Sequence, residues 1–256
     1  MTRLSGQQTI VTGAYEGIGR GIAEAYLREG AHVVMADINP AVESAAEELN
    51  RGHDGRAAAI VADVGDVEAV DRIYEVADSH LSGLHTLVNN AGRELTKTLV
   101  DTEPDEWDDI VRINLKSVYL MSRHAIPKMR SGGGSIVNLG SVTAKVGFKN
   151  YPVYTATKGA IHALTRQMAM ELAEDRIRVN TIYPGTIKTP LAIRNFSAGG
   201  GDLEAALAES ASVHPVGRLG EPEDVAAMAV FLASDEAGFV NGMEIGVDGG
   251  FTIRGV

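Results

Sequence analysis

The sequence predicts an α/β fold, a doubly wound parallel sheet with helices on both faces. Three observations lead there. Strand-like and helix-like runs alternate from Gln8 to Asp248, the order in which parallel strands are joined by crossover helices. A glycine-rich turn links the first β-branched run to the first helical pattern. No linker, repeat or low-complexity stretch divides the 256 residues, so 1–256 reads as a single domain with a large core.

The first strand is Gln8 to Thr12. Gly13-Ala14-Tyr15-Glu16-Gly17-Ile18-Gly19 follows, before the helical pattern Ile22, Ala23, Tyr26, Leu27. Glycine permits the tight turn and removes side chains that would hold a pyrophosphate away from the amides at a helix start. The spacing TGxxxGxG departs from the common GxGxxG fingerprint, and a plain strand–helix connection is the alternative reading. The second strand, His32 to Ala36, ends at Asp37, eighteen residues after Gly19, close to the spacing at which a carboxylate reaches the adenosine ribose. A carboxylate there accepts hydrogen bonds from both ribose hydroxyls and repels a 2′-phosphate. Glu16 adds negative charge, so NAD is preferred over NADP. The plainer reading of Asp37 is a cap on the loop before Asn39-Pro40.

The next strand, Ala58 to Val61, is followed by Asp63-Val64, and Leu84 to Val88 by Asn89-Asn90-Ala91-Gly92. Both follow strand ends, where ligands collect in open α/β sheets. Asp63 is expected to meet the adenine amino group, and Asn90, Ala91 and Gly92 to bring backbone to the adenosine. Asn89 is expected to tie neighbouring strands. A helical run from Glu106 to Met129 contains Asn114, a mild propensity defect that also reads as a kink or a solvated position. A second run, Tyr151 to Ala173, carries Tyr154 and Lys158 four residues apart, with Ser141 thirteen residues upstream. Four helical residues advance about 6 Å and return to nearly the same face. A free phenol titrates at about pH 10, and an adjacent cation lowers that value, so Tyr154 is expected to exchange protons at neutral pH. Alone, the pair also fits an amphipathic helix with a snorkelling lysine. A helix near Pro222 and a strand from Met243 to Val247 complete the pattern.

Thr12-Gly13 with Gly17 and Gly19, Asp63, Asn89-Asn90-Ala91-Gly92, Asn114, Ser141, Tyr154 with Lys158, Pro184-Gly185 and Val247-Asp248-Gly249-Gly250 succeed one another in order. Over essentially the whole chain they resemble the short-chain dehydrogenase/reductase family. The resemblance implies a seven-stranded Rossmann fold and a hydride exchanged between a nicotinamide and a carbinol carbon. It implies that Tyr154 is the general acid–base, that Lys158 binds the nicotinamide ribose and favours the phenolate, and that Ser141 polarises the substrate oxygen. Asn114 would hold a water linking Lys158 to solvent. The cofactor would meet Gly13, Tyr15, Glu16, Gly17, Ile18, Gly19, Asp37, Asp63, Val64, Asn90, Ala91, Gly92, Tyr154, Lys158, Pro184, Gly185, Ile187 and Thr189.

The segment at 186–220 resembles the family's mobile substrate loop, with Gly199 to Gly201 as hinge and Leu191, Ile193, Phe196, Leu203 and Leu207 closing over the substrate. Substrate would touch Ser141, Thr143, Phe148 and Tyr154. The signals around them are mixed. Phe148 and Tyr151 offer an apolar or sugar-stacking wall, Glu94 accepts hydrogen bonds from a polyol, and Arg93 or Lys145 attracts a carboxylate. Apolar residues on more than one face of the two long helices (Ile110, Ile113, Leu115, Val118 and Leu120; Ile161, Leu164, Met168 and Leu172) suggest a buried partner. Family members commonly pair these helices, so a homotetramer is expected.

A net charge of −11 without a basic block argues against nucleic-acid and anionic-membrane binding. Absent cysteines exclude disulfides. The seven histidines lack ligand-like spacing, so no metal is expected. His124 and His162 read as packing or surface residues, and His214 as a candidate substrate contact. Met1 to Gly6 lacks a signal peptide's apolar core and no apolar run is long enough to cross a membrane, which points to the cytoplasm. The function expected is NAD-linked oxidation of a secondary alcohol, whether sugar, polyol, hydroxy acid or cyclic alcohol. A 3-oxoacyl thioester reductase and a dinucleotide sensor without turnover are the alternatives.

Overall fold

The structure is a computed structural model that describes residues 2–53, 56–198 and 202–254. Seven strands form one parallel sheet: β1 (Gln8–Thr12), β2 (His32–Asp37), β3 (Ala57–Val61), β4 (Thr86–Asn89), β5 (Gly134–Leu139), β6 (Ile177–Pro184) and β7 (Glu244–Val247). Their spatial order is β3-β2-β1-β4-β5-β6-β7. The winding therefore reverses between β1 and β4. The parallel, seven-stranded expectation holds, with the fourth strand starting two residues later than the apolar run suggests.

Each inner strand divides its side chains between the two sheet faces. Val11, Val33, Met35 and Val137 join the core beneath α1 (Gly17–Arg28), α2 (Val42–His53) and, later in the chain, the helix Pro222–Ala233. Their neighbours Ile10, Val34, Ala36 and Ile136 point to the opposite core, under α3 (Val67–His80) and the two long helices. This period-2 division explains why β1 and β2 read as unbroken apolar runs: both faces are covered.

The first long helix is α4 (Pro104–Val111), one π-helical turn (Arg112–Lys116) and α5 (Ser117–Met129), without a break. Pro104 occupies its first turn and Glu103 and Glu106 form a reciprocal capping box. The second is α6 (Pro152–Glu171), also opened by proline. Most apolar residues expected to seek a partner are spent internally: Ile110, Val118, Leu120, Ile161, Met168 and Leu172 are buried in the chain. The two long helices still expose Tyr119 and Met170, and Phe239 and Met243 are among the other exposed apolar side chains.

The described residues of the segment at 186–220 carry helical structure that the sequence reading does not expect. They include α7 (Pro190–Ala198) and α8 (Leu203–Ser212), before α9 (Pro222–Ala233). Each new helix has its own start signal. Thr189 Oγ1 accepts from Ala192 N (3.2 Å), and Asp202 caps Glu204 N (3.0 Å). The hinge expected at Gly199 to Gly201 lies outside the described residues. Among the described residues no helix is long and apolar enough to cross a membrane.

Candidate active site

β1 carries Thr12 and Gly13 to the sheet edge where the strand order reverses, the position at which open α/β sheets bind ligands. Gly13 (φ 63°) and Gly17 (φ 61°) turn the chain into α1 in a region that disfavours side chains. Close packing also requires glycine. A Cβ on Gly19 would lie 2.0 Å from the Gly13 carbonyl oxygen, and one on Gly13 would lie 2.9 Å from Ala91 Cα. The β4 loop braces this turn: Thr12 Oγ1 accepts from Asn90 N (3.0 Å) and Ala91 N (3.1 Å), and Asn90 Nδ2 donates to the carbonyls of Thr12 and Gly13 (both 2.9 Å). No side chain caps the N-terminus of α1, so its first amides are free for an anion. A turn bare of side chains beside uncapped amides fits a dinucleotide pyrophosphate.

Asp37 closes β2 as expected, and its contacts are those of the loop-cap reading. Its Oδ2 accepts from Tyr15 N (3.0 Å) and its Oδ1 from Asn39 N (2.8 Å). It thus caps its loop while fixing the glycine turn, and each carboxylate oxygen retains a further lone pair. Asp63, beyond β3, is held by Gly65 N (2.8 Å) and Arg112 Nη1 (2.8 Å), and Arg112 also binds Asp109 (3.0 Å). Arg112 went unnoticed in the sequence. Its local signal is Gly65, where a Cβ would stand 2.2 Å from Arg112 Nη1. Val64 is buried in the core under α3, and Tyr15 and Ile18 pack half-buried against the core on the opposite face of the sheet. Asn89 ties strands, its Nδ2 donating to Asn138 Oδ1 across β4 and β5 (2.8 Å).

Tyr154 and Lys158 share one side of α6, with Lys158 Nζ 5.6 Å from the centroid of the Tyr154 ring. Lys158 is buried and donates to the Leu139 carbonyl (2.7 Å). Burial pulls its ammonium down to about 8, against the pull of the Glu94 carboxylate. Tyr154 moves the other way, which corrects the expectation of a lowered phenol. Burial, and after it the negative charge of Glu94, push Tyr154 well above the ordinary tyrosine value, while the Ser141 hydroxyl opposes them. The chain alone therefore keeps Tyr154 protonated, as a proton donor. Ser141 follows β5 and is buried, its Oγ accepting from Thr143 N (3.1 Å). The Thr143 hydroxyl is buried and has no partner among the described residues.

Asn114 lies inside the π-helical turn and is fully buried. A π turn inserts one residue into the helical ladder and re-aims the side chains there. Asn114 Oδ1 accepts from Arg93 N (2.8 Å), and its Nδ2 donates to the Arg93 carbonyl (2.9 Å) and Thr157 Oγ1 (3.3 Å). A Cβ on Gly92 would lie 3.4 Å from Asn114 Oδ1 and 3.6 Å from Lys158 Nζ. Of the sequence readings, the helix distortion describes this turn, while the solvated position does not, because Asn114 is fully buried.

α7 spans the cleft between two carboxylates. Arg194 pairs with Glu16 of the glycine turn, and Asn195 Nδ2 donates to Glu94 Oε2 (2.8 Å). Neither residue was singled out from the sequence. The Thr189 methyl lies 3.2 Å from where a Cβ on Gly17 would stand, which sets the start of α7 over the glycine turn. Ile187 packs its side chain into the core against Gly220, leaving only its backbone for a ligand. Pro184 ends β6, and a Cβ on the adjoining Gly185 would meet His214 Nε2 at 2.9 Å. Phe148 stacks on Phe251 with centroids 5.6 Å apart. His214, a candidate substrate contact in the sequence, packs its ring against Phe251 with centroids 5.3 Å apart. It is buried, with Nδ1 on the Ser210 carbonyl (2.8 Å) and Nε2 accepting from Thr186 N (3.2 Å), and so anchors the base of the α7–α8 segment.

Comparison with known proteins agrees with this geometry. A family model described as enoyl-(acyl carrier protein) reductase matches residues 13–252. Oxidoreductase UcpA of Escherichia coli K12 is 38% identical, over 99% of this chain and 97% of its own. An NADP-dependent (R)-specific alcohol dehydrogenase of Lentilactobacillus kefiri is 35% identical, over 98% of this chain and 99% of its own. The solved structure of Thermoplasma acidophilum aldohexose dehydrogenase superposes with a TM-score of 0.91 at 34% identity, covering 99% of this chain and 97% of that one. With its glycine cradle, its seven-stranded sheet and these relatives, the chain belongs to the short-chain dehydrogenase/reductase family of oxidoreductases.

Proposed function

We propose that the chain is an NAD-dependent dehydrogenase that interconverts a secondary alcohol and its ketone, with Tyr154 as general acid–base. The observation that carries this reading is the approach of the Lys158 ammonium to the Tyr154 ring, 5.6 Å from its centroid, beside the buried Ser141. A bound nicotinamide ring would accept or return the hydride at the carbinol carbon. Tyr154 takes or gives the hydroxyl proton, Ser141 holds and polarises the same oxygen, and Lys158 stabilises the phenolate when the proton leaves. Asn114, adjoining Lys158, holds the water that passes this proton to solvent.

Gly13, Gly17 and Gly19 would receive the pyrophosphate, with Asp63 and Asn90 to Gly92 at the adenosine and Pro184, Gly185, Ile187 and Thr189 at the nicotinamide. Asp37 favours NAD, since its carboxylate opposes a 2′-phosphate, while Glu16 contributes less because Arg194 pairs with it. One relative is named as NADP-dependent, so cofactor choice rests chiefly on Asp37 of this chain. Relatives named for alcohol and aldohexose oxidation support chemistry at a CH–OH group. We place the protein in the cytoplasm, as a homotetramer.

The test is Tyr154→Phe, which keeps the ring and removes the ionisable oxygen. Turnover is expected to fall by about 10²-fold or more, while fluorescence titration still detects NADH binding, and in wild type NADH binds more tightly than NADPH. A variant that keeps most of its turnover refutes Tyr154 as the acid–base, and tighter NADPH binding refutes the cofactor assignment.

A further inference from the structure

Glu94 has no role in the proton chemistry above, yet its charge acts on both members of the catalytic pair. It stands two residues past Gly92, where a Cβ would face both Asn114 Oδ1 and Lys158 Nζ. One carboxylate oxygen, Oε2, accepts from Asn195 Nδ2 of α7 (2.8 Å), and among the described residues Oε1 has no hydrogen bond. Thr143, two residues past Ser141, adds a buried hydroxyl without a partner. From Tyr154 an aromatic row runs outward: Tyr151 meets it edge-on at 6.1 Å, Phe148 meets Tyr151 at 6.4 Å, and Phe251 stacks on Phe148 at 5.6 Å. Unsatisfied acceptors beside aromatic faces match a molecule that is hydroxylated along its edge and presents C–H groups on its face. A carboxylate substrate finds the opposite. Arg93, Lys97, Lys145 and Arg194 are paired with Asp109, Glu106, Glu244 and Glu16, and Glu94 would repel it.

We propose that Glu94 is a specificity-determining residue, accepting a hydrogen bond from a hydroxyl next to the reacting carbinol, so that the substrate is a sugar or polyol. This rests on the reading of Tyr154 given above. It excludes hydroxy acids and monohydric alcohols as the preferred class. Glu94 also bears on the pH profile, because its charge disfavours the Tyr154 phenolate. The other ionisable groups facing that phenol are Lys158 and Tyr151.

The experiment compares kcat/KM for a panel of aldoses and alditols with that for cyclohexanol, in wild type, Glu94→Ala and Glu94→Gln, with NADH titration as the check on folding. The polyol-to-cyclohexanol ratio is expected to exceed one in wild type and to fall about tenfold or more in Glu94→Ala, the loss attached to a charged hydrogen bond. In Glu94→Gln, which keeps the shape, the pH limb assigned to Tyr154 moves to lower pH. A ratio unchanged by both substitutions, or a wild-type preference for cyclohexanol, overturns the proposal while leaving the Tyr154 reading intact. Undiminished turnover in Tyr154→Phe removes the reading beneath it instead.

Discussion

Lys158 carries an ammonium in a place that water barely reaches, and its stability consequence can be signed. Burial lowers its value from 10.5 to about 8 in the folded chain, with Glu94 opposing. Below about pH 8 the folded and unfolded chains are both protonated, and folding bears the cost of burying the charge. Between about pH 8 and 10.5 the unfolded chain holds the extra proton, so stability rises with pH across that window. Lys158→Met removes this titration and also strips the Leu139 carbonyl of its donor, a cost that does not change with pH. In paired urea titrations wild type is therefore expected to gain on Lys158→Met between pH 7.5 and pH 10, by at most ~3 kcal/mol. A difference that stays flat, or reverses, would mean that Lys158 keeps its charge in the free protein. The same burial explains why Tyr154 and Lys158 could be paired from sequence while the direction of the phenol's shift could not: spacing reports a shared face and says nothing about desolvation.

At the scale of elements, β4, β5, β6 and α6 are joined by buried side chains as well as by the sheet ladder. Asn89 Nδ2 donates to Asn138 Oδ1 (2.8 Å), Asn138 Nδ2 to Thr165 Oγ1 (2.9 Å), and Thr181 Oγ1 to Thr165 Oγ1 (2.7 Å). Removing the middle member takes one of two partners from Asn89 Nδ2, which keeps Ser122 Oγ (3.3 Å), and one from Thr165 Oγ1, which keeps Thr181, in a buried site. Asn138→Ala is expected to lower unfolding free energy by about 2 kcal/mol or more with an unchanged denaturant slope. A loss below about 0.5 kcal/mol would show that neighbouring groups re-pair. These polar positions also explain an uneven legibility. β1, β2 and the glycine turn stood out because their signals are local and continuous. β5 and β6 were not individually placed, because Asn138, Asn180 and Thr181 interrupt their apolar runs with residues that the fold buries and pairs. α7 and α8 are hard to see in the sequence because they flank a glycine triplet and begin at caps, Thr189 and Asp202, that are short and local. Contacts such as Arg112 with Asp63 and Asn195 with Glu94 join residues 49 and 101 apart in sequence, and only the folded topology brings them together.

For the whole molecule, the surface left over after folding indicates where copies meet. The loop before β7 lies against the end of α6: Asn241 Nδ2 donates to the Ala169 carbonyl (3.1 Å), and a Cβ on Gly242 would stand 3.3 Å from the Ala169 methyl. Flanking that contact in the chain are Met170, Phe239 and Met243, which are 80%, 104% and 52% exposed. Three large apolar side chains flanking one contact exceed the scattered exposure normal for a monomer surface. The edge strand β7 lies beside them, with backbone groups on its outer side that another chain can cover. If subunits associate through this end, as the proposed tetramer requires, charges placed there should split the assembly without unfolding the protomer. Phe239→Asp with Met243→Lys is expected to reduce the sedimenting mass to a smaller species, because a pair of charges at a desolvated contact costs far more than the roughly ±0.5 kcal/mol typical of exposed substitutions. Circular dichroism and NADH binding should persist, since neither side chain supports the core or the cleft. An unchanged mass, with both substitutions verified, would move the interface elsewhere and leave Tyr119 on α5 as the next surface to probe.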